Sequence, residues 1–144
     1  MKTARASVVV LAGLAASCLG GDAIAQVTPG ISFDFEDGTA QNWEGGANPT
    51  NIASGGPNGA DDSFLQIGGG RRLAVYNLLD LSGTLDPEAT SISVDLNRPV
   101  GEPDLDLRIV LFGPGTTNRW TSTAAVVVPG NGQWDTYEFS LLEN

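Results

Sequence analysis

From Ile31 onward the chain alternates with period two, and glycine and proline clusters interrupt it before any run develops helical spacing. Ile31, Phe33 and Phe35 alternate with Ser32 and Asp34; Ile92, Val94 and Leu96 alternate with Ser91, Ser93 and Asp95. Leu105, Leu107, Ile109 and Leu111 are set against Asp104, Asp106, Arg108 and Val110, and Tyr137, Phe139 and Leu141 against Trp134, Thr136, Glu138 and Ser140. Successive side chains of a strand point to opposite faces, so this pattern describes strands with one face buried. Further strands are expected at 63–68, 71–78 and 120–128, the last an apolar β-branched run that reads as buried on both faces. Turn clusters at 45–49, 55–59, 68–70, 113–115 and 129–132 separate them. About eight short strands without a helix predict an all-β fold, an antiparallel β-sandwich with jelly-roll topology. A sandwich of this kind is expected to carry one more strand after 134–142, so the chain reads as stopping short of a last strand, with a sheet edge left open.

The first 25 residues have the layout of an export signal. Lys2 and Arg5 precede the apolar run Val8 to Leu14, and Ala23-Ile24-Ala25 is a small-x-small cleavage site. The expected mature protein is a single domain of residues 26–144, secreted or held in the cell envelope. The apolar run is too short to stay in a bilayer as a permanent helix, so no membrane insertion is expected after cleavage. Cys18 is the one cysteine. Lipidation there is the other reading of the leader, but it calls for a larger apolar residue at the position of Ala15. Cleavage after Ala25 leaves no thiol, which excludes disulfides, thiol nucleophiles and cysteine-bound metals.

The chain has no histidine. Imidazole-based catalysis and histidine-ligated zinc are therefore excluded, and any metal must be held by oxygen ligands, which points to calcium. Removing the leader's two bases and one acid takes the net charge from −10 to −11, and the only bases left are Arg71, Arg72, Arg98, Arg108 and Arg119. No basic stripe is present to neutralise phosphates, so nucleic acid is not an expected partner.

The stretch FDFEDGTAQNWEGG, residues 33–46, gathers Asp34, Glu36 and Asp37. One reading is an oxygen-rich calcium site, with Glu36 its best single ligand. The other is a strand whose solvent face carries Asp34 and Glu36, ended by an Asp37-Gly38 turn. As a glycosidase acid and base, these carboxylates lack the contrast of apolar and solvated surroundings that splits two such groups into opposite roles. No enzymatic activity is expected. Asp61-Asp62 does not have calcium-loop spacing, and Asn58-Gly59 before it reads as a turn. Gly68-Gly69-Gly70-Arg71-Arg72 lacks the lysine and helix of a phosphate loop and reads as a hairpin.

A sugar site needs a flat apolar ring beside hydrogen-bonding groups. Trp134 reads as core or rim and Trp43 as a cover over the sandwich end. Trp120, after the polar loop Thr116-Thr117-Asn118-Arg119, reads as exposed. A binding face is expected from Trp120, Arg119 and Asn118 with the outward Asp106 and Arg108, and Tyr76 contributing from a neighbouring strand. Asp106 and Arg108 are equally what a solvated strand face carries.

Phe35-Glu36-Asp37-Gly38 with Trp43, the strand at 105–112, and Gln133-Trp134 leading into Thr136-Tyr137-Glu138-Phe139 resemble the galactose-binding-like jelly rolls that include many non-catalytic carbohydrate-binding modules. The likeness spans about residues 31–142. The chain also resembles exported bacterial proteins whose longer members end in a PEP-CTERM type sorting tail, a motif that does not occur in these 144 residues. The resemblance implies a secreted module that binds a polysaccharide or glycan. It further implies a structural calcium held by Glu36, backbone carbonyls and an aspartate on the final strand, with Asp34 and Asp37 neighbours by position. That final aspartate has no counterpart here. The reading from another class is a structural or adhesive surface protein with no small-molecule site.

Overall fold

The computed structural model describes residues 7–13, 26–27, 29–45, 48–68, 73–112 and 119–141. The strands are β1 Ser7–Gly13, β2 Gln26–Val27, β3 Thr50–Ile52, β4 Phe64–Gln66, β5 Ala74–Ser82, β6 Thr84–Leu85, β7 Ser91–Asn97, β8 Leu105–Phe112, β9 Arg119–Thr121, β10 Val126–Val128 and β11 Trp134–Ser140. Among the described residues there is no helix, and so none long and apolar enough to cross a membrane.

The principal sheet has the order β10-β8-β1-β5. β9 and β10 pair antiparallel with the two ends of β8, while β1 runs parallel to both β8 and β5. The apolar run of the expected leader is thus an inner strand of this sheet. β7 and β11 form a second, antiparallel sheet, β3 and β4 a short antiparallel hairpin, and β2 and β6 a small parallel pair.

The alternation seen in the sequence builds the core between these layers. Val75, Leu105, Leu107, Ile109 and Val128 of the principal sheet meet Phe139 of β11, with Ile92, Val94, Leu96 and Tyr137 packed around them. Burying a leucine or phenylalanine of this kind contributes about 1.5–3 kcal/mol. The far face of the second sheet is polar, and there the Thr136 hydroxyl donates to Asp95 Oδ1 at 2.5 Å. Trp134 ties this sheet to the hairpin. Its ring stands edge-on to Phe64 at 5.4 Å, and its indole N–H donates to the Gly55 carbonyl at 2.9 Å.

Two expected strands take another form. Residues 31–35 are not a strand: Phe35 is left-handed at φ +61, so Asp34 and Glu36 do not share a strand face. The backbone bonds a ladder would use go elsewhere, from Phe35 N to Gln41 Oε1, Glu36 N to Asp34 Oδ1, and Gly38 N to the Phe35 carbonyl. Short polar side chains that offer local partners compete with sheet pairing in this way. The run 120–128 is broken into β9 and β10, because Arg108 Nη1 donates to the carbonyls of Ser122 and Thr123 at 2.6 and 2.8 Å and holds the chain in a bend. Val127, expected inside, is 52% exposed. The strand expected at 71–78 runs from Ala74 to Ser82, and Arg71 and Arg72 lie outside the described residues.

Candidate functional site

The Ala-Val-Tyr-Asn-Leu-Leu-Asp-Leu-Ser sequence of β5 places two polar residues three apart inside an apolar run. Asn77 is 0% exposed, yet its amide is fully used. Oδ1 accepts from Leu79 N at 3.1 Å and Asp80 N at 2.8 Å, while Nδ2 donates to the Gln41 carbonyl at 3.0 Å and Asp80 Oδ2 at 2.8 Å. A buried amide is tolerated when all its bonds are made. One side chain therefore folds 77–80 into a turn and fastens it to the segment at 41.

That segment is equally determined. Gln41 and Asn42 are both left-handed, at φ 44 and 61, a conformation that asparagine tolerates better than most residues. Asn42 Nδ2 reaches Asp80 Oδ2 at 3.0 Å, and Glu44 exchanges both backbone bonds with Tyr76 at 2.8 and 2.9 Å. Gly45 lies so close to β5 that a Cβ would strike the Ala74 carbonyl. The Asp80 carboxyl is held below its ordinary value of 3.8 by the Asn77 amide and then by that of Asn42.

Between the two segments lies an open cleft of about 410 Å³, lined by Ala40, Asn42, Trp43, Glu44, Leu78 and Leu79. The locked turn at 77–80 holds Leu78 and Leu79 outward, and Leu79 is 70% exposed. Trp43 packs on the core and edge-on against Phe33 at 5.4 Å. Its indole N–H is shut off from solvent and has no acceptor among the described residues. A donor left this way costs about 1–3 kcal/mol. The cleft thus combines an aromatic wall, two leucines left open to water, and the amide oxygen of Asn42 with the carboxylate of Glu44. The sequence carried one signal for it, the asparagine and aspartate inside an otherwise apolar strand.

The expected binding face is divided. Trp120 is 63% exposed and pairs with Leu111, so it shares the core-side face of β8. Asp106 and Arg108 occupy the opposite face, with Arg119 opposite Phe112 on their side. Tyr76 shares that side, since Tyr76 and Val110 both pair with Leu11, while Glu44 bridges its other edge. Arg108 is committed to the Ser122 and Thr123 carbonyls. Asn118 lies outside the described residues.

Asp34, Glu36 and Asp37 turn to three separate sets of donors. Asp34 Oδ1 takes Gln41 Nε2 at 3.0 Å and Glu36 N at 3.2 Å, and these bonds, Gln41 first, hold its carboxyl below the ordinary value. Asp37 Oδ1 takes the Thr39 N–H and hydroxyl, each at 2.8 Å, which lower its carboxyl too. Glu36 crosses to the residue just before β4, where Ser63 N donates to Oε1 at 2.7 Å and the Ser63 hydroxyl to Oε2 at 3.3 Å. Among the described residues no three acidic side chains converge as a cation would require. In this arrangement the three carboxylates act as loop caps and a clamp. No family model, curated protein or solved structure matches the chain.

Proposed function

We propose that the protein is an exported, non-catalytic binding module of the galactose-binding-like kind, and that it holds a polysaccharide or glycan in the cleft between residues 40–44 and 78–79. The observation that carries this reading is the rigid outward display of Leu78 and Leu79 beside Trp43, Asn42 and Glu44. A sugar ring presents C–H faces to apolar groups and hydroxyls to amides and carboxylates, and binding sites are largely preformed hollows of this mixed lining. The size falls within the range of about 300–1,000 Å³ common for ligand clefts. Nothing in the arrangement sets one carboxylate apart as a proton donor and another as a base, so binding without turnover is the reading adopted.

Affinity electrophoresis of the exported domain through gels containing a panel of polysaccharides tests this. Retardation in at least one gel is expected, abolished by Leu79→Asp and by Asn42→Ala but not by Trp120→Ala. Unretarded migration in every gel would favour a structural or adhesive role, and release of reducing sugar would favour an enzyme.

A further inference from the structure

The loop between β3 and β4 is fastened at both ends and closed on itself between them. The Trp134 indole N–H holds the Gly55 carbonyl at one end, and Glu36 holds Ser63 at the other. Inside the loop Asp62 is the hub. Its Oδ2 accepts from Asn58 N at 2.8 Å, and the Asn58 amide Nδ2 donates to Oδ1 and Oδ2 at 3.3 and 3.4 Å. Gly56 N donates to the Asp62 carbonyl at 2.8 Å, and a Cβ on Gly56 would strike Asp62 Oδ2, so the carboxylate lies tight against the turn.

Asn58 is followed by Gly59, and of the other asparagines only Asn131 is also followed by glycine. A glycine nitrogen carries no side chain beside it and its backbone bends freely, which opens the preceding asparagine to attack by the main chain. The fold treats the two pairs differently. Gly132 N–H is bound across to the Arg98 carbonyl at 2.8 Å, Asn131 Oδ1 accepts from Gln133 N at 2.9 Å, and a Cβ on Gly132 would crowd the Val100 side chain. Asn58 and Gly59 are exposed, the Gly59 N–H reaches only the Gly56 carbonyl of its own turn at 3.2 Å, and a Cβ on Gly59 would meet nothing.

We propose that Asn58-Gly59 is a self-modification site, at which deamidation drives the 55–62 loop off Asp62 and loosens its fastening to Trp134. The Gly59 nitrogen gives up its proton and attacks Asn58 Cγ; the Cγ–Nδ2 bond breaks, and Nδ2 leaves with a proton as ammonia. Water then opens the cyclic imide at either carbonyl carbon. One product is aspartate, the other an isoaspartyl linkage whose main chain runs through Cβ and Cγ. Water is consumed and ammonia released, with no oxidant or reductant. Either product turns a donor to Asp62 into a second carboxylate at hydrogen-bonding distance from it, and like charges that close repel. The isoaspartyl form also lengthens the backbone inside the Gly56–Gly59 bridge. The loop's ends are its links to β11 and to Glu36, so the strain is passed to both. The inference does not rest on the carbohydrate reading.

The test incubates the full chain in warm, mildly alkaline buffer, which favours loss of the amide proton, and follows it by peptide mapping. Aspartyl and isoaspartyl forms are expected at position 58 at least about tenfold faster than at 131, because the tighter bonds of the second turn raise its barrier. Hydrogen exchange at the Trp134 indole N–H is expected to quicken in the modified protein and in Asn58→Asp. Combining Asn58→Asp with Asp62→Asn sets an amide against the new acid and is expected to restore protection. Equal rates at 58 and 131, or conversion at 131 first, would overturn the inference by showing that the fold plays no part. Unchanged indole exchange in the modified protein would overturn it too, as would a double variant as loose as Asn58→Asp alone.

Discussion

The core around β8 and the cleft around Asn77 are held by opposite means. In the first, Leu105, Leu107 and Ile109 stack against Val75, Val128 and Phe139, and nearly any apolar residue of fitting volume would serve. In the second, four hydrogen bonds from one buried amide fix the positions of two segments, and only asparagine supplies that donor and acceptor set. Apolar packing determines how firmly the layers hold together, while the polar lock determines where Leu78 and Leu79 stand.

Substitutions should separate the two. Leu107→Ala, at a residue 1% exposed, is expected to lower unfolding free energy by about 2–5 kcal/mol in urea titration. If polysaccharide retardation is measured on the fraction that stays folded, it should survive. Asn77→Ala is expected to cost less, about 1–3 kcal/mol, because it orphans the Gln41 carbonyl and the Leu79 and Asp80 N–H groups. It should nevertheless abolish retardation. Equal loss of binding in both variants would erase the distinction.

Acid offers a milder probe. Asp34, Asp37 and Asp80 have folded values below the ordinary 3.8, so the stability they contribute is complete above that pH and is lost as the pH falls through their lower folded values. Hydrogen exchange at Leu79 and Asp80 N–H should therefore quicken below about pH 3.8, ahead of the amides of 105–109. Simultaneous loss of protection would show that the two regions open as one. The smallest expected effect is that of calcium. Because the carboxylates at 34, 36 and 37 are already occupied by donors, melting with calcium or with chelator should give the same midpoint. A higher midpoint with calcium would restore Glu36 as a ligand.

What could be read from the sequence follows this division. β7, β8 and β11 were legible because period-two alternation is a direct record of one face meeting a core. The clamp from Glu36 to Ser63 was not, because its partners stand 27 residues apart and no local pattern records a carboxylate reaching across to a distant segment. Residues 31–35 misled for a related reason. Their alternation is that of a strand, but Gln41 takes the Phe35 N–H and Asp34 takes the Glu36 N–H before a neighbouring strand can. The break within 120–128 was hidden in Arg108, whose guanidinium bends a segment that would otherwise extend. The cleft itself announced its floor only through Asn77 and Asp80, whose spacing marks a side-chain-closed turn inside an apolar strand.

The Trp134 bond to the Gly55 carbonyl joins positions 79 residues apart. It also sets an order of events for a chain made from its N-terminus. The β3–β4 hairpin does not receive the Trp134 hydrogen bond and ring contact until β11 has been synthesised, and among the described strands β7 has no ladder partner until then either. Contacts between distant parts of a chain form slowly because the intervening loop must close first. The tryptophan is therefore a late fastener: it closes on the hairpin only when the strand that carries it has been made.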